Sequence, residues 1–226
     1  MSTRNETIRL RSADGKELSA YRALPARQPK AGIVVIQEIF GVNPHIRRVA
    51  DGYAEQGYEV LAPALFDRIE PGVEFAYDGD GIAKGRGLIQ RLGWDAPLAD
   101  IGAAAAALAS NGKVGVVGYC WGGTLAFLSA ARVDGIAAAV GYYGTAISKQ
   151  LDATPKVPTL LHFGEKDASV PPADIETIRR RQPELSIEVY PADHGFNCDA
   201  RGSYHAPSAA LALERTLAFF ARHLSP

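Results

Sequence analysis

The stretch VGVVGYCWGGTLAFLSAA, residues 114–131, allows very few folds. An apolar, β-branched run of strand length ends at Gly118, an apolar helical pattern starts at Trp121, and only two residues are left to reverse the chain. A residue held between strand and helix in so short a turn is strained. It also draws flanking backbone so close that side chains at 118 and 122 would collide, which accounts for both glycines. The turn places Cys120 at a helix N-terminus, where unsatisfied N–H groups and the helix dipole favour negative charge. Strand, sharp turn and helix in this order form the G-x-S-x-G arrangement that presents a nucleophile, here with cysteine in place of serine. The alternative is that Cys120 is a small buried hydrophobe, as many free cysteines are.

The remaining chain supplies the sheet that such a turn requires. Residues 6 to 23 read as two short strands around SADGKE. GIVVIQE from Gly32, YEVLAP from Tyr58, KVGVVGY, GIAAAVGYY from Gly135, PTLLHFG from Pro158 and SIEVYP from Ser186 read as further strands. Helical patterns lie between them, one following the polar loop NPHI and ending at Gln56-Gly57, the others at roughly 97–109, 121–132, 171–182 and 207–223. Strands alternating with helices predict an α/β fold, a mostly parallel sheet with helices on both faces and its site at the C-terminal ends of the strands. Residues 66 to 95, rich in Gly, Asp and Arg, are read as an exception to this alternation, an excursion that leaves a strand's C-terminal end, returns only at the Ala-rich helix and is placed to cover the site. The run AAAAALA at 103–109 is read as a helix face packed closely on the sheet.

At 226 residues, 47% of them hydrophobic, the chain is expected to form one domain, 1–226, without a large cap. A formal net charge of -1 provides no field for nucleic acid or acidic lipid, so the expected partner is a small molecule. No segment reads as a secretory signal or membrane span, and the expectation is a cytoplasmic protein, monomeric or weakly homo-oligomeric. Two cysteines without CxxC or Cys/His spacing form neither a disulfide framework nor a recognisable zinc motif, and no dinucleotide or P-loop signature is present. No metal or cofactor is therefore expected.

A nucleophile on such a turn needs an acid and then a histidine, each on a loop after its own strand, as in the α/β-hydrolase fold. His45 falls in a loop after the first buried strand, His162 inside a strand, His205 near the start of the last helix and His223 in its last turn; each has an ordinary structural reading. His194 in YPADHGFN follows the last strand and is the expected base. Asp167 in HFGEKDASVPP is the expected acid, its alternative being a turn or capping aspartate. Asp193 adjoins the base, but its side chain should diverge from that of His194. The expected chemistry is thiolate attack on an acyl carbon, a thioester, and hydrolysis by water that His194 activates. The oxyanion hole would come from the backbone N–H groups of Trp121 and Ile39.

Glu38 in VVIQEIFGVN interrupts an apolar run, and a buried carboxylate requires a partner or a shifted pKa unless it turns to solvent. QEIFG, GYCWGG, GEKD and DHGF together resemble the dienelactone hydrolases, carboxymethylenebutenolidases of the α/β-hydrolase fold. The resemblance extends from Gly32 to the last helix and includes AVGYYG at 139–144. It implies a triad of Cys120, His194 and Asp167, with Glu38 as a switch that holds the resting thiol and helps to generate the thiolate when substrate binds.

One departure bears on substrate. The family pattern places an arginine for the substrate carboxylate four residues after the histidine, where this chain has Cys198. Arg201 and Arg86 are the substitutes considered, against the alternative that both are solvated surface residues. Cys198 could also approach Cys120 for a regulatory disulfide. Trp121, Trp94 and Tyr77 are considered as pocket walls. Two other functions stay open at this point: hydrolysis of simple esters or thioesters by the same triad, and a thiol-based sensing or binding module.

Overall fold

The computed structural model describes residues 3–225; Met1, Ser2 and Pro226 of the expected 1–226 unit lie outside the described residues. Eight strands form one sheet: β1 (Arg4–Arg11), β2 (Glu17–Leu24), β3 (Gly32–Ile36), β4 (Glu59–Pro63), β5 (Val114–Tyr119), β6 (Ile136–Tyr142), β7 (Thr159–Gly164) and β8 (Ser186–Tyr190). Their order is β1-β2-β4-β3-β5-β6-β7-β8. Only β2 runs against its neighbours, pairing antiparallel with β1 and β4, and every pairing from β4 to β8 is parallel.

Six helices cover the sheet: α1 (Pro44–Glu55), α2 (Gly79–Leu92), α3 (Asp95–Leu108), α4 (Trp121–Arg132), α5 (Pro172–Arg181) and α6 (Ala206–Leu224). The strand period of two divides the core. Val34 and Ile36 of β3 face a cluster built with α2 to α5, whereas Ile33 and Val35 face a second cluster built with α1 and α6. With both faces covered, β3, β4, β5 and β7 are buried along their whole length, which is why each is rich in apolar residues, with Glu59, Thr159 and His162 as the buried polar exceptions. Each such side chain contributes about 1.5–3 kcal/mol by leaving water. The small-residue face of α3 does lie close to the sheet: a Cβ at Gly32 would sit 2.7 Å from Leu108 Cβ.

Two local expectations are corrected. The excursion at 66–95 contains a regular helix, α2, capped by Asp78, whose carboxylate accepts from Gly81 N–H at 2.8 Å. Its glycines hide the pattern because glycine is a poor helix former, yet a Cβ at Gly85 would come within 2.1 Å of the Ile39 carbonyl oxygen. The segment NPHI is not a loop throughout: Asn43 caps α1 by accepting from Ile46 N–H at 3.1 Å, and His45 stands in the first helical turn. Behind the excursion, a buried ion pair ties the 3-10 turn Leu65–Arg68 to α3, with Arg68 donating to both oxygens of Asp100 at 2.6 and 2.7 Å. Among the described residues no helix is long and apolar enough to cross a membrane.

Candidate active site

Cys120 is the residue between β5 and α4, with φ 56° and ψ -117°. The left-handed region is costly for a residue with a Cβ, and close packing on three sides holds it there. Cβ atoms added at Gly118, Gly122 and Gly123 would lie 1.9 Å from Gly122 O, 2.4 Å from Gln37 O and 2.5 Å from Tyr142 O. The Cys120 N–H donates to Tyr142 O at 3.0 Å, anchoring the turn on β6.

The loops after β7 and β8 bring the other two expected groups to this turn. His194 Nε2 lies 3.2 Å from Cys120 Sγ, and His194 Nδ1 donates to Asp167 Oδ2 at 2.7 Å. The second Asp167 oxygen accepts from Ser169 N–H at 2.7 Å, so the carboxylate is fixed from both sides. Asp193 accepts from the His194 backbone N–H at 2.6 Å and takes no part in the contact with the imidazole. Burial opposes charge on the imidazole, but negative charge at Cys120 and the bond to Asp167 outweigh it and raise His194 from 6.5 to about 10. The backbone N–H groups of Trp121 and Ile39 make no backbone hydrogen bond among the described residues. The Trp121 indole stacks on Phe66, with centroids 5.7 Å apart, so its ring is a packing element beneath the turn.

Glu38, just past the end of β3, is fully buried. Tyr77 donates to its Oε2 at 2.9 Å and itself accepts from Asn43 Nδ2 at 3.0 Å, while Glu38 Oε1 has no hydrogen-bond partner. Burial and the Glu38 charge push the Tyr77 phenol far up, so it remains a donor. Arg201 lies beside them, Nη1 3.9 Å from Glu38 Oε1 and its guanidinium 5.8 Å from the Tyr77 ring centroid. A Cβ at Gly195 would come 2.8 Å from Arg201 Nη1, so the loop that carries His194 also seats this arginine.

Arg86 and Trp94 are not brought into this cluster. Arg86 is exposed on α2, and Trp94 is half-buried against the core at the start of α3. Cys120 and Cys198 are both free and buried. Of the histidines set aside, His162 is buried in β7 between the Tyr190 hydroxyl at 2.8 Å and Thr216 Oγ1 at 3.0 Å. His205 bonds Ser208 Oγ at 2.7 Å. His45 is the exception: its ring reaches the Glu38 cluster, a contact no sequence spacing reveals. Tyr143 was also missed. It has φ 40°, presents its ring to the His194 imidazole at 5.0 Å, and carries a buried hydroxyl without a partner. Its only sequence signal is the doubled tyrosine of AVGYYG at the end of a parallel strand.

The family model of the dienelactone hydrolase family matches residues 18–224. The chain belongs to the dienelactone hydrolase family. It is 39% identical to a carboxymethylenebutenolidase of Pseudomonas putida and equally to one of Pseudomonas knackmussii, covering 96% of this chain and 96% of each relative. Among solved structures, a candidate dienelactone hydrolase of Klebsiella pneumoniae superimposes with a TM-score of 0.82 at 33% identity, covering 97% of this chain and 100% of that one. The dienelactone hydrolase of Anabaena variabilis, at 18% identity and a TM-score of 0.71 over 99% of this chain and 100% of that one, shares the fold. The α/β-hydrolase expectation is therefore met, and this dienelactone hydrolase family member is a hydrolase of carboxylic ester or lactone bonds.

Proposed function

We propose that the chain opens a lactone or cleaves an ester through a thioester on Cys120, with His194 as general base and acid and Asp167 as the group that orients it. The continuous line from Asp167 through His194 to Cys120, with contacts of 2.7 and 3.2 Å, carries this reading. The thiolate adds to the acyl carbon, and the N–H groups of Trp121 and Ile39 receive the developing oxyanion. Collapse of the tetrahedral adduct breaks the carbon–oxygen bond, the imidazolium protonates the departing alkoxide, and the acyl group stays on sulfur. His194 then takes a proton from water, hydroxide adds to the thioester, and the thiolate leaves.

Glu38 is the activating group in this account. It takes the proton of the Cys120 thiol and passes it to solvent; the geometry with Cys120 on His194 and Glu38 accepting from Tyr77 supports the state after that exchange. The preferred substrate is an anionic lactone of the carboxymethylenebutenolide type. Its carboxylate would be held by Arg201, which lies within reach of the site and keeps 22% of its side chain exposed. The Tyr143 hydroxyl is free to donate to the bound acyl group. The deciding assay is kcat/KM for dienelactone beside a neutral aryl ester, with Cys120→Ala as the blank. Cys120-dependent turnover that favours dienelactone supports the full reading, aryl ester turnover alone moves the substrate to simple esters, and Cys120-independent turnover removes the nucleophile from the account.

A further inference from the structure

We propose that Glu38, His45 and Cys198 form a binding site for a thiophilic divalent cation of the zinc class. The three residues come from the end of β3, the first turn of α1 and the loop beyond His194. All three are buried, and one donor atom from each lies within 4.8 Å of the others. Carboxylate oxygen, imidazole nitrogen and thiolate sulfur are the zinc ligand types, and three protein ligands leave one position open.

Two further observations point to a ligand. His45 Nδ1 bonds Asp199 Oδ1 at 3.0 Å, and Arg48 Nη2 holds the same oxygen at 2.8 Å. With Nδ1 donating its hydrogen to this carboxylate, Nε2 carries a lone pair, and it is buried without a partner. A carboxylate that orients the far side of an imidazole is the usual support of a metal-binding histidine. Glu38 Oε1 is likewise buried and unpartnered. Both atoms are buried acceptors that no hydrogen-bond donor satisfies, which suits them to a cation.

Binding requires the donors to close to about 3.5 Å, the spacing of tetrahedral zinc ligands, which is a side-chain movement. It also displaces a proton. A free cysteine carries its hydrogen, so the cation binds the sulfur as thiolate and releases that hydrogen to solvent. Arg201, partly exposed and 3.9 Å from Oε1, is the competing cation and would swing outward. A cavity of about 500 Å³ beside α1 is lined by His45 and Asp199 and provides an approach. If Glu38 activates Cys120 as proposed above, occupancy withdraws it and inhibits; that consequence rests on the hydrolase reading, whereas the binding does not.

Cobalt(II) titrated into Cys120→Ser protein tests the site with Cys198 as the sole thiol. The expected result is one equivalent bound, thiolate-to-metal charge-transfer absorption, and displacement by zinc. Cys198→Ser on the wild-type background should lack that absorption, and His45→Gln should bind at least tenfold more weakly. Asp199→Ala, a change at a half-exposed support that leaves all three ligands, should weaken binding roughly 10–100-fold even if a ligand variant misfolds. No charge-transfer band in Cys120→Ser, or a band that persists in Cys198→Ser, overturns the proposal. Because the readout is spectroscopic, it stands even if the protein turns over no ester.

Discussion

His194 Nε2 stands 3.2 Å from Cys120 Sγ while its Nδ1 bonds Asp167, so the imidazole is held between a thiol and a carboxylate in a setting that keeps 15% of its side chain exposed. Such a position favours the imidazolium of a thiolate–imidazolium pair.

The first prediction is that His194 is protonated in the resting protein. Its folded pKa, about 10, lies above the ordinary 6.5, so the stability contributed by this proton on His194 is complete below pH 6.5 and is lost as pH rises through about 10. NMR titration of the His194 ring should find it charged at pH 8 in wild type and titrating at distinctly lower pH in Cys120→Ala. A neutral ring at pH 8 in wild type contradicts the ion pair.

Glu38→Gln preserves the Tyr77 contact in shape but removes the base. Turnover should fall about 100-fold or more, the range of a lost acid–base group, with an unchanged circular dichroism spectrum. Turnover close to wild type would show that Cys120 is activated without the glutamate.

Arg201→Ala tests anion recognition. Losing a hydrogen bond to a charged group costs about 1.5–3 kcal/mol, so KM for a carboxylate-bearing lactone should rise roughly 10–100-fold. KM for a neutral aryl ester should barely change. Equal effects on both substrates would make Arg201 a support of the His194 loop.

His162 makes the fold acid-sensitive. Burial, with the nearby Arg215 charge, lowers it to about 3, so between pH 6.5 and about 3 the unfolded chain binds a proton that the folded chain refuses. Stability should fall through that window by about 1.4 kcal/mol per pH unit for this proton. Urea unfolding at a series of pH values measures it, and His162→Asn should show a shallower slope; equal slopes would assign the acid loss elsewhere.

The central strands of the parallel sheet were legible because burial on both faces makes them rich in apolar residues, and Cys120, Asp167 and His194 were legible because each follows its own strand. The turn was legible because Gly118 and Gly122 have no room for a Cβ. Helix α2 was hidden by its glycines, of which Gly81 and Gly85 are required by contact with Ala76 and Ile39, a tertiary fact. The Glu38 cluster was hidden for a similar reason. His45 and Cys198 lie far apart in sequence, and only the meeting of α1 with the His194 loop joins them to Glu38.

The central claim is covalent catalysis by Cys120, and rapid acid quench during turnover of an aryl ester, followed by peptide mass mapping, tests it most directly. The account predicts the acyl mass on the peptide that contains Cys120, absent from Cys120→Ala together with the turnover. An acyl group on another residue, or turnover undiminished in Cys120→Ala, would contradict it.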